Sequence, residues 1–120
     1  MPLRRHLADM LIYKIFRTPE WQALQADGTT AGAPVDLADG YIHFSTAEQA
    51  PETAARHFAG IEGLWLIAVE ADGLDGLRWE PSRGGALFPH LYRPLLLSDV
   101  LWAWPLPLEA SGHIFPEDMR

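Results

Sequence analysis

The chain has no cysteine. That absence excludes a disulfide scaffold, a thiolate zinc site, an iron–sulfur cluster and a cysteine nucleophile. Positive charge is scarce. Nine basic residues, only one of them a lysine, face sixteen acidic ones, for a net charge of −7. A protein that tracks phosphate backbones or anionic lipid needs a basic surface, so neither nucleic acid nor membrane is an expected partner. No apolar run approaches the ~20 residues of a membrane span. The opening Met1-Pro2-Leu3-Arg4-Arg5-His6 is not followed by the apolar stretch and cleavage site of a secretory signal, and a cytoplasmic protein is expected. Repeats and low-complexity stretches are also missing.

What is present suits one globular domain. The 120 residues are 48% apolar and 21% charged, which supports a core of its own. Residues 1–9 are expected as a flexible N-terminal arm, 10–107 as a single domain and 108–120 as a C-terminal tail. Leu11-Ile12-Tyr13-Lys14-Ile15-Phe16 reads as a strand, being rich in β-branched and aromatic residues. Thr18-Pro19-Glu20 opens a helix, with Thr18 as cap and Pro19 at the first position, ending near Asp27-Gly28. Thr29 to Leu37 reads as a loop. A capping box at Ser45-x-x-Glu48 or Thr46-x-x-Gln49 precedes a helix from Pro51 to Phe58, with Ala54, Ala55 and Phe58 buried. Leu64 to Val69 is continuously apolar and reads as a central strand covered on both faces. Shorter extended pieces follow at 77–80 and 87–92, and Val100 to Trp104 closes the sheet before Pro105. Two or three short helices early and strands late give an α+β domain.

The residues that could carry chemistry begin with Tyr41-Ile42-His43-Phe44-Ser45. A strand's period of two puts Tyr41, His43 and Ser45 on one face, with Ile42 and Phe44 on the other. A lone strand histidine is ordinarily structural, bonded to a backbone carbonyl. Three polar-tipped side chains in a row are costly to bury without partners, which shifts the balance toward a pocket. Phe88-Pro89-His90-Leu91-Tyr92 supplies a second histidine flanked by aromatics, either a wall for a planar ligand or an irregular edge plugging the core. In Trp79-Glu80-Pro81-Ser82-Arg83-Gly84-Gly85, Glu80 ends a strand, and Arg83 beside two glycines could meet a phosphate. For the glycines taken alone, a solvated hairpin turn is the better explanation. His57 with Arg56 is a routine cationic helix end. No ligand set for a metal and no nucleophile elbow is present.

Together, Asp39-Gly40-Tyr41-Ile42-His43-Phe44-Ser45, Gln49, Thr53-Ala54, Phe58, Trp79-Glu80 and Phe88-Pro89-His90-Leu91-Tyr92 resemble the bacterial family called domain of unknown function 952. The resemblance runs from about Leu11 to Trp104. It implies a small version of the ADP-ribosyltransferase fold, with a mixed, mainly antiparallel split sheet and a cleft for NAD or ADP-ribose. By the same resemblance His43 bonds the ribose with Ser45 beside it, Tyr41 or Tyr92 is the stacking ring, and Glu80 steadies a ribosyl cation. Arg17, Arg83 and Arg93 are then the candidates for the phosphates.

Three functions follow from these expectations. One is a transferase or hydrolase of the ADP-ribosyltransferase type acting on a nucleotide or ADP-ribose-type ligand. Another is a phosphoesterase with paired H-x-S/T motifs, which His43-Phe44-Ser45 fits and His90-Leu91-Tyr92 does not. The third is a small-molecule-binding or protein-interaction module that keeps a pocket without chemistry. Convergence of His43, Ser45 and His90 on one cleft favours a ligand site, and Glu80 on the same wall favours catalysis.

Overall fold

In the computed structural model, which describes residues 10–117 and 119, the fold is built on strand β1 (Leu11–Arg17). Its alternate residues feed two cores. Ile12 and Phe16 face one, with Ile42, Phe44, Ile67, Val69, Leu91 and Leu95. Leu11, Tyr13 and Ile15 face the other, with Leu64, Leu66, Ala68 and helix residues Ala50 and Ala54. Both faces of the strand are therefore covered, as its composition requires. The expected N-terminal arm, residues 1–9, lies outside the described residues.

β4 (Leu64–Glu70) pairs antiparallel with β1 on one side and with β8 (Val100–Leu106) on the other. It is the central strand that its apolar run implied. β8 continues through Pro105 rather than stopping before it. It is an edge strand, where a missing N–H costs no ladder bond on the open side. A second three-stranded sheet has the order β3 (Ile42–His43), β6 (Leu87–Leu91), β5 (Leu77–Pro81). Among the described residues the backbones of the two sheets join at one bridge, in which Tyr13 and Ser45 exchange both hydrogen bonds at 2.7 and 2.8 Å. Beyond that bridge they diverge. Every ladder among the described residues is antiparallel, so the sheet is split but not mixed.

Three helices complete the α+β domain. α1 (Thr18–Asp27) begins one residue earlier than its sequence implied. Arg17 is the cap residue, the Glu20 carboxylate accepts its backbone N–H at 2.8 Å, and the Thr18 hydroxyl donates instead to the Gly63 carbonyl at 2.6 Å. Gly28, at φ 78°, ends the helix in the left-handed conformation that glycine adopts without strain. α2 (Pro34–Asp39) lies inside the segment expected as a loop. Thr29–Thr30 of that segment forms β2, paired with β7 (Leu95–Leu96). α3 (Ala50–His57) follows the capping box at Thr46 and Gln49, whose reciprocal bonds measure 3.0 and 3.2 Å. Ala50 and Ala54 form its buried stripe, and Ala55 faces solvent.

The segment expected as a tail is also structured. Leu108–Glu109 (β9) and Gly112–His113 (β10) form a hairpin. His113 Nε2 bonds the Ile61 carbonyl at 2.7 Å and ties the hairpin to the loop that follows α3. Among the described residues no helix is long and apolar enough to cross a membrane.

Ile67 is fully buried on the central strand. An Ile67→Ala variant should lose about 2–5 kcal/mol of stability in urea unfolding, from lost transfer energy and a residual cavity.

Candidate functional site

The second sheet presents a polar face. The ladder pairs His43 with His90, and His90 with Arg78. Tyr41, Tyr92 and Glu80 therefore lie on the same side, while Ile42 and Leu91 turn into the core. The Tyr41 ring sits at the centre of this face. Its centroid is 4.2 Å from the His90 ring, 4.6 Å from His43 and 5.1 Å from Tyr92. The two imidazoles are 5.4 Å apart and edge-on. Two histidines far apart in sequence are thus neighbours.

Each is braced by a carboxylate rather than by a backbone carbonyl. His43 Nδ1 lies 2.6 Å from Asp36 Oδ1, and its Nε2 lies 3.0 Å from Asp39 Oδ2. His90 Nδ1 donates to Glu80 Oε1 at 2.7 Å, and the Tyr92 hydroxyl donates to the same oxygen at 2.7 Å. These two donors hold the Glu80 carboxyl below the usual carboxylate range. The Tyr92 phenol is pushed up in turn, chiefly by its bond to Glu80. Tyr41 is pushed up by burial and by the nearby charges of Asp39, Glu80 and Asp36.

Asp36 is the residue on which the site converges. Its side chain is 0% exposed. One oxygen accepts the Ala33 N–H at 2.7 Å and meets the Lys14 ammonium at 2.7 Å. The other takes the His43 backbone N–H at 3.0 Å as well as the ring. Burial works to raise its carboxyl, but the His43 hydrogen bond and the Lys14 charge outweigh it and hold the group below its ordinary value. Burial likewise pushes the Lys14 ammonium down, against the pull of Asp36. Gly32, at φ 110°, passes so close that a Cβ there would overlap the Asp36 carboxylate. The backbone around Asp36 is fitted to it.

A cavity of about 540 Å³ opens where the two sheets diverge. His43, Ser45 and His90 all line it, together with Lys14, Arg17 and Thr53. The Ser45 and Thr53 hydroxyls share a hydrogen bond at 2.9 Å. Phe58 and Phe88 supply apolar wall. No aspartate or glutamate is among the described residues that line it. The Arg17 guanidinium stacks over Phe58 at 5.1 Å and has no carboxylate partner among the described residues.

The remaining expected residues fall elsewhere. Glu80 lies behind His90 and is not on the cavity wall. Tyr41 and Tyr92 line a smaller hollow of about 220 Å³ instead. Arg93 lines that hollow too, tied to Asp99 at 3.0 Å and to the Asp75 carbonyl at 2.9 Å. The Arg83 side chain lies outside what is described. Sequence reasoning missed Lys14, Asp36 and Asp39. A lone lysine inside an apolar strand and Ala33-Pro34-x-Asp36 running to Gly40 were the available signals. No group of three or more potential metal ligands occurs among the described residues.

Comparison with known families decides the lineage. The model for "Protein of unknown function (DUF952)" matches residues 15–103. The chain belongs to the DUF952 family. That match contains Asp36, both histidines and Glu80, and begins one residue after Lys14. The crystal structure of protein CC0527 from Caulobacter crescentus, at 57% identity, superposes with a TM-score of 0.82 over 86% of this chain and 91% of that one. The solution NMR structure of CC0527, also at 57% identity, gives a TM-score of 0.78 over 86% and 90%. No curated protein matches the DUF952 chain.

The electrostatics of Asp36 set an acid limit on stability. Above about pH 4 the carboxyl is ionised in both folded and unfolded chains. As pH falls below that, the unfolded chain takes up the proton first, because the folded value is lower, and stability falls. Asp36→Asn should flatten this acid limb, leaving the part due to Glu80. It should also cost about 3–5 kcal/mol at pH 7 by stranding the Lys14 ammonium. Urea unfolding from pH 7 to pH 3 measures both.

Proposed function

We propose that the chain binds a small anionic ligand of the nucleotide or ADP-ribose type in the cavity between the two sheets. The observation that carries this reading is charge placement. A chain with sixteen acidic residues and nine lysines and arginines places Lys14 and Arg17 on the cavity wall and no described carboxylate; Lys14 is paired with Asp36, which leaves Arg17 to meet an anion. Acidic residues spread at random would put about two on such a wall. Arg17, stacked on Phe58, offers a guanidinium with no carboxylate partner among the described residues, suited to a phosphate by its fork of donors. The Ser45–Thr53 hydroxyl pair and the imidazoles supply polar contacts, and Phe58 and Phe88 supply surface for a base.

Binding is better supported than ADP-ribosyl transfer. Stabilising a ribosyl cation requires a carboxylate beside it. Glu80, the residue for that role, braces His90 from behind the wall. His43 Nδ1 is committed to the buried Asp36 and Nε2 lies 3.0 Å from Asp39, so neither ring nitrogen stands open toward a substrate. The geometry thus favours a module that recognises its ligand without cleaving it.

Thermal denaturation with added ligand tests this. ADP-ribose at a hundred times its Kd should stabilise the protein by about 2.7 kcal/mol, while adenosine, which lacks the phosphates, should shift it far less. Arg17→Ala should melt like the parent when free and lose most of the ADP-ribose shift. No stabilisation by any phosphate-bearing nucleotide, or equal shifts in the parent and Arg17→Ala, contradicts the proposal.

A further inference from the structure

His90 has a nitrogen with nothing to do. Its side chain is only 3% exposed. Nδ1 is spent on Glu80, yet Nε2 has no hydrogen-bond partner among the described residues. Buried polar atoms in native proteins are nearly always paired, so such an atom calls for an account. Here His90 is one of the residues that line the cavity.

The state of that nitrogen follows from its neighbours. Glu80 Oε1 accepts from both His90 Nδ1 and the Tyr92 hydroxyl. An ionised carboxylate has no proton to give, so Nδ1 bears the hydrogen. A second proton on Nε2 would be a buried charged donor with no acceptor, beside a His43 ring that already faces two carboxylates. A bare Nε2 leaves only an unsatisfied acceptor, the smaller cost. Tyr41, stacked at 4.2 Å, fixes the plane of the ring.

From this geometry we infer that His90 Nε2 is a specificity-determining acceptor, which takes a hydrogen bond from a hydroxyl group of the anionic ligand, with Glu80 and Tyr92 as positioning residues. This inference rests on the anion-binding reading of the cavity and adds the second half of the ligand's chemistry. Arg17 takes the charge, and His90 demands a donor. The class that has both is a phosphorylated sugar or a nucleotide with a free sugar hydroxyl. An anion without a hydrogen to donate fits only half the site.

Nitrogen-15 histidine spectra of the full chain, free and with ribose 5-phosphate or inorganic sulfate, test it. The free protein should show His90 with hydrogen on Nδ1 and a bare Nε2. Ribose 5-phosphate should move the Nε2 resonance, and sulfate, which has no proton to donate, should leave it in place. His90→Phe should weaken ribose 5-phosphate by about 10- to 100-fold and sulfate hardly at all. Glu80→Ala, at a half-exposed position, should redistribute the His90 tautomer and weaken ribose 5-phosphate several-fold at unchanged sulfate affinity. A purely structural Glu80 would not move the tautomer.

A protonated Nε2 in the free protein overturns the inference. So does an Nε2 resonance that ribose 5-phosphate leaves still, or a Glu80→Ala variant with the parent's tautomer. These outcomes are separable from failure of the binding proposal. ADP-ribose that stabilises the protein without moving Nε2 sinks the inference alone. Ribose 5-phosphate that moves Nε2 where no nucleotide stabilises sinks the nucleotide reading alone.

Discussion

One carboxylate without access to water, Asp36, ties the parts of this fold together. From within α2, where it caps its own helix at the Ala33 N–H, it reaches β1 through Lys14 and β3 through both the backbone and the ring of His43. A buried carboxylate is tolerable only when its oxygens are filled by donors and its charge is opposed. Both conditions are met here, and meeting them fixes three elements relative to one another. Among the described residues the sheets share one backbone bridge, Tyr13–Ser45. The Lys14–Asp36 pair is a second clamp near the same junction, and the cavity lies beside it.

The His90–Glu80–Tyr92 set is a separate construction with a different purpose. Asp36 sits in the interior and organises backbone, whereas Glu80 is half-exposed and orients a single ring. In the first, both ring nitrogens lie within 3.0 Å of a carboxylate oxygen. The second leaves one over, on a residue that lines the cavity. Two imidazoles 5.4 Å apart therefore play unlike parts, and the difference comes from their carboxylate partners rather than from the rings.

Much of the scaffold was legible in the sequence. β1 and β4 announce themselves by dense β-branched and apolar runs, α1 by Pro19 and Gly28, and the turn before α3 by its capping box. α2 escaped notice because it is short and its one buried residue is the polar Asp36, so no apolar stripe marks it. The C-terminal hairpin escaped because two-residue strands carry no readable alternation. At the site, the stripe of Tyr41, His43 and Ser45 was visible as a period of two, and so was the histidine at 90. Their partners were not. Ion pairs join residues by tertiary approach, and nothing in local pattern connects Lys14 to Asp36. Glu80 was legible as a strand-end carboxylate, but its position behind His90 depends on how β5 and β6 register.

The most direct measurement is the coupling between Lys14 and Asp36, from a double-mutant cycle of Lys14→Met, Asp36→Leu and the double variant, unfolded in urea at pH 7. If Asp36 is the clamp, each single change strands a buried charge, the double variant recovers much of the loss, and the coupling energy reaches about 2 kcal/mol or more. Single effects that add to within about 0.5 kcal/mol would show two independent residues and contradict the central role given to Asp36.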